Sequence, residues 1–134
     1  MADYHTRASL QPPIPKHLIT DAETEFLALF GFDAFSNETH ITFGAYEYCA
    51  SNEDSDGIGY EEEHLSRFLQ ALIKSSKGEL TWISIEFAYT CSKFRPDAFG
   101  GAATFITADD DTQWTSTYAW LQQRIGEMEG DTND

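Results

Sequence analysis

The chain has 134 residues, 41% of them hydrophobic and 14% aromatic, with a formal net charge of −15 from 23 acids against 8 bases. That length fits one domain able to bury a core, and the apolar content excludes a disordered chain. The charge argues against direct binding of nucleic acid, whose phosphates would be repelled, and favours partners with basic surfaces.

Residues 1–19 read as an extended N-terminal arm, because Pro12, Pro13 and Pro15 set a polyproline-like backbone. Thr20 opens a helix, Glu23 completes a capping-box pattern, and Gly31 supplies a stop. Residues 40–49 read as a strand rich in β-branched and aromatic side chains. An acidic loop follows, and then a helix from about Glu61 to Ser76. Leu65, Phe68, Leu69, Leu72 and Ile73 form its apolar stripe, and Glu61, Glu62 and Glu63 occupy its first turn, where the helix dipole favours anions. Leu80 to Cys91 alternates as a long strand, with Ile83, Ile85, Phe87, Tyr89 and Cys91 on one face.

Beyond Gly100 and Gly101, residues 102–108 read as a third strand, 109–111 as an acidic turn and 113–115 as a short fourth strand. A last helix runs from about Thr117 to Met128, with Tyr118, Leu121, Ile125 and Met128 expected to face inward. Residues 131–134 read as a frayed tail. The order predicts a single α+β domain over 20–130. Its sheet would be single, antiparallel or mixed, of three to four strands, with about three helices mainly on one face.

The stretch 52–63, N-E-D-S-D-G-I-G-Y-E-E-E, holds six carboxylates and no Lys or Arg. Counted from Asn52, it places Asp54 third, Asp56 fifth, Gly57 sixth and Glu63 twelfth. Over these twelve residues it resembles the EF-hand calcium loop, which implies Asn52, Asp54, Asp56 and Glu63 as ligands of calcium. The expected incoming element is a strand, whereas an EF-hand needs a helix. A polar connection leading into an acidic helical turn accounts for the same residues, so the leading expectation is that no cofactor is bound.

The second reading is a polyanion-like surface. Duplex DNA presents one negative charge per ~1.7 Å of axis. Glu53, Asp54, Asp56, Glu61, Glu62 and Glu63 form one acidic cluster, and Asp109, Asp110 and Asp111 form another. Glu127, Glu129, Asp131 and Asp134 form a third, while Tyr60 and Trp114 supply aromatic anchors. In size, acidity and aromatic content the chain is similar to small acidic inhibitors encoded by phages and plasmids, the DNA-mimicking anti-restriction and anti-CRISPR proteins. The resemblance is one of type and composition. It implies an inhibitor that occupies the basic, nucleic-acid-binding surface of a partner protein, such as a defence complex. The alternative is a soluble accessory protein without such mimicry.

Catalysis is not expected. His5, His17, His40 and His64 belong to no catalytic signature, and Cys91 reads as a strand thiol rather than a nucleophile. Cys49 and Cys91 read as buried thiols in a reducing compartment. No G-x-S-x-G, phosphate-binding or zinc motif is present. Lys93 and Arg95 stand out from the acidic background, and pairing with Asp97 or Glu86 is their expected role. No apolar run is long enough to span a membrane and no signal-peptide pattern opens the chain, so a cytoplasmic location is expected.

Overall fold

The computed structural model describes residues 4–93 and 99–130. In chain order these form β1 (Tyr4–Pro15), α1 (Asp21–Leu29), β2 (Phe32–Ser36), β3 (His40–Ala45), β4 (Ser51–Glu53), β5 (Gly59–Glu61), α2 (Glu62–Ser75), β6 (Trp82–Cys91), β7 (Gly100–Thr107), β8 (Gln113–Ser116) and α3 (Thr117–Gly130). Six strands make one antiparallel sheet in the order β2-β3-β1-β6-β7-β8, and β4–β5 is a separate hairpin. The expected sheet of three to four strands is therefore corrected to six, with a second, two-stranded sheet beside it.

The main source of that difference is the N-terminus. The proline-rich segment expected as an arm is β1, in the middle of the sheet between β3 and β6. Proline is kept out of central strands because it cannot donate to a ladder. Here pairing with β6 ends at Gln11, and pairing with β3 jumps from Leu10 to Ile14. Pro12 and Pro13 fall in that gap, so no ladder bond is required of them. β2 is also additional. Only Phe32 of it is buried, and its register against β3 holds it in place.

One face of the sheet carries the core. Strand alternation sends Leu10 and Ile14 of β1, Phe43 of β3, Ile83 and Ile85 of β6 and Ile106 of β7 to that face. Leu27 of α1, Phe30 just beyond it, and Leu65, Leu69, Leu72 and Ile73 of α2 cover it. Burying each such side chain contributes about 1.5–3 kcal/mol. The predicted stripe of α2 is thus the inner layer. The predicted capping box also forms on α1, with the Glu23 amide donating to Thr20 Oγ1 at 3.1 Å and the Thr20 amide to Glu23 Oε1 at 2.9 Å.

The opposite face presents Arg7, Ser9, Ser84, Glu86, Ala103 and Phe105. α3 starts beside it. The Ala119 amide donates to Ser116 Oγ at 3.0 Å, and the Gly101 amide to Thr117 Oγ1 at 3.1 Å. Beyond that first turn α3 buries no residue. The inward-facing stripe expected there is corrected, because Tyr118, Leu121, Ile125 and Met128 are all exposed. Cys49, expected to be buried, is exposed, and Cys91 is half-buried; both are free thiols. Among the described residues no helix is long and apolar enough to cross a membrane.

Candidate protein-binding surface

The acidic stretch 52–63 resolves into the β4–β5 hairpin and the start of α2. Asp54 builds the turn of that hairpin. Its Oδ1 accepts from the amides of Asp56 at 2.9 Å and Ile58 at 3.0 Å, and its Oδ2 accepts from the Tyr60 hydroxyl at 3.3 Å. Short Asp side chains favour such local turns because they satisfy amides that a ladder cannot. Asp54→Ala should therefore lower stability by about 1–2 kcal/mol. In hydrogen exchange, the amides of Asp56 and Ile58 should lose protection first. Unchanged protection there would show that Asp54 does not hold the turn.

The same geometry bears on the calcium reading. Asp54 is engaged in the turn, and Glu63 pairs with Arg67 one helical turn on. Both polar atoms of the Asn52 side chain are buried, with no hydrogen-bond partner among the described residues. The incoming element is strand β4. Among the described residues no three His, Cys, Asp or Glu side chains form a group able to hold a metal. Asp54 and Asp56 thus stay together in the hairpin turn, while Glu63 is turned to Arg67 on α2.

Tyr60 differs from its expected role as an exposed anchor. It is half-buried, with its ring edge-on to Phe26 at 5.2 Å. Burial and then the Asp54 carboxylate push its hydroxyl pKa upward. Glu53 and Asp56 remain exposed on the hairpin.

The second acidic cluster meets the first at Glu63. A groove of about 440 Å³ runs between α2 and the β7–β8 turn, bordered by Glu63 on one side and Asp109, Asp110 and Asp111 on the other. Gln70 fixes this relation, because its Nε2 donates to the carbonyls of both Thr107 and Asp110 at 3.0 Å. The Asp110 amide also donates to Thr107 Oγ1 at 3.3 Å. The run of acids is not continuous, since Arg67 and Lys74 of α2 line the same groove.

Glu62 points to the neighbouring side of α2. Its Oε1 accepts from the Tyr48 hydroxyl at 3.1 Å, and Trp114 and Tyr89 border the same small hollow. Burial first, and then Glu62, drive the Tyr48 hydroxyl pKa far above its ordinary value, and the same two causes raise that of Tyr89. Trp114 stays 61% exposed beside this hollow. The Glu61 amide donates to His64 Nδ1 at 2.9 Å and so closes the first turn of α2.

Glu62, Glu63, Asp109, Asp110, Asp111 and Trp114 thus gather along α2. Of the third expected cluster, Glu127 pairs with Arg124 on α3 at 2.7 Å, and Asp131 and Asp134 lie outside the described residues. Sequence reasoning missed Tyr48 and Gln70. An aromatic residue ending a strand just before an acidic stretch was the available signal for Tyr48. Gln70 gave none, since a polar residue between apolar helix positions reads as solvated.

The histidines have local partners. His5 meets Glu47 at 2.9 Å, His17 meets Glu79 at 2.8 Å, and His40 Nδ1 lies 2.7 Å from Thr39 Oγ1. Lys93 is exposed just past β6, and Arg95 and Asp97 lie outside the described residues. No family model, curated protein or solved structure matches this chain.

Proposed function

We propose that this chain is a small acidic protein-binding module, an inhibitor that occupies the basic, nucleic-acid-binding surface of a partner protein. The observation that carries this reading is the convergence of two acidic segments, far apart in sequence, on one surface around α2 with an exposed tryptophan beside them. Carboxylates held in place by a helix and a clamped turn lose little freedom on binding, which favours affinity. Trp114 supplies the apolar anchor that charge alone lacks. A nucleic-acid-binding defence complex, of the restriction or CRISPR kind, is the most concrete partner.

The test is retention on the immobilised protein. Nucleic-acid-binding proteins should be held at low salt, released at high salt, and displaced by competing duplex DNA. Retention that neither salt nor DNA alters would overturn the proposal.

A further inference from the structure

The face of the sheet away from the core has an unfilled apolar groove. Trp82 of β6 and Phe105 of β7 stack on this face, with ring centroids 5.9 Å apart and planes 23° from parallel, and Phe105 extends into the groove. A groove of about 870 Å³ lies between this face and α3, with Ala103 and Phe105 on the sheet side and Trp120 and Leu121 on the helix side. Among the described residues Glu86 is the one charged residue lining it. Small side chains at Gly101 and Ala103 leave the depth.

The same chain carries an apolar helical stripe that the described residues leave exposed. Tyr118, Leu121, Ile125 and Met128 recur at intervals of three and four along α3. They are 70%, 51%, 47% and 76% exposed. Arg124 lies over the Trp120 ring at 5.1 Å and pairs with Glu127, so α3 brings a mutually neutralised pair beside the apolar stripe.

We infer that this face binds a second copy of the chain, the α3 stripe of each copy lying in the groove of the other. Three arguments select that occupant. First, groove and helix are complementary and belong to one chain. Because α3 is itself a wall of the groove, a partner's helix seated there packs helix against helix, and a two-fold axis repeats the contact. Second, the area suffices. At roughly 150–250 Å² for each large side chain, the exposed fractions of the stripe with Trp82, Phe105 and Trp120 amount to on the order of 700 Å². That exceeds the ~300–600 Å² largest patch of an ordinary monomer and approaches the ~800 Å² each partner gives to a standard interface. Third, the charge fits. A cationic partner segment would bury its charges against aromatic walls where Arg124 already lies over Trp120, which costs more than an uncharged helix does.

The groove and the α2 surface share Trp114 at their border, but the inference does not rest on the proposed function and its salt response is the opposite. Two chains of like charge repel at long range while their contact is apolar, so salt should strengthen the dimer. Sedimentation of the full chain over a range of concentrations is expected to show twice the chain mass, more completely at high salt. Leu121→Asp with Ile125→Asp should give a monomer with an unchanged far-ultraviolet spectrum, since both residues are exposed in the single chain. Phe105→Glu, from the sheet side, should do the same without touching α3. A wild-type protein that stays monomeric at every concentration would overturn the inference. So would a dimer that survives both sets of substitutions, because it would use another face.

Discussion

Replacing Gly31 with alanine is expected to lower stability by about 3 kcal/mol, a large part of the ~5–15 kcal/mol margin of a typical domain. Gly31 ends α1 with φ +93°, and its amide donates to the Ala28 carbonyl at 3.0 Å. A left-handed backbone costs a non-glycine residue about 1–2 kcal/mol on its own. A Cβ at this position would also fall 2.1 Å from the Glu47 carbonyl oxygen, a backbone atom. That oxygen has little room to retreat. The flanking backbone is tied down by the Tyr48 amide to the Thr6 carbonyl at 2.8 Å and by the Cys49 amide to the Phe30 carbonyl at 2.9 Å. Gly78 is the natural control, because its φ is +94° and nothing lies within 4 Å of an added Cβ. Gly78→Ala should cost only about 1 kcal/mol. Urea unfolding of the two variants measures the difference directly, and equal midpoints would show that the Glu47 contact yields easily.

Reversing charge around α2 should weaken partner binding by about 100-fold, or about 2.7 kcal/mol. The variant of choice joins Asp109→Lys, Asp111→Lys and Glu63→Lys, which border one groove. Asp110 is spared because its backbone amide and carbonyl anchor the turn. Equal reversals at Glu25, Asp33 and Glu38, all exposed on α1, β2 and the β2–β3 turn, change net charge by the same amount. They should weaken binding by only a few-fold, through long-range attraction. Titration of the captured partner with each variant separates the cases. Equal losses would mean that net charge, and not the α2 surface, directs recognition.

The elements legible in the sequence were those whose own periodicity met a single environment. α2 shows its apolar stripe at helical spacing, and β6 alternates toward the core. The Thr20–Glu23 cap needed no tertiary contact to be seen. β1 was hidden because proline has a strong local meaning, and only the register gap at Pro12 and Pro13 makes a central strand compatible with it. The β4–β5 hairpin was hidden because its ordering comes from the Asp54 side chain and not from apolar alternation. On α3 the spacing was read correctly as one stripe and wrongly as an inner face, since periodicity gives a direction without saying what lies there. Of the candidate surface, the acids and Trp114 were visible. Their meeting was not, because it depends on Gln70 reaching across to the β7–β8 turn.

The placement of β1 also governs how the chain can reach its fold. Its two neighbours are residues 40–45 and 82–91, so its second edge stays unsatisfied until the chain has been made well past its midpoint. α1, β2 and β3 can associate early through short loops, but the sheet closes only when β6 returns across a long separation. Until then β1 presents an open edge, which other strands can join. The nascent chain therefore depends on rapid arrival of β6, and conditions that slow it should favour aggregation before folding.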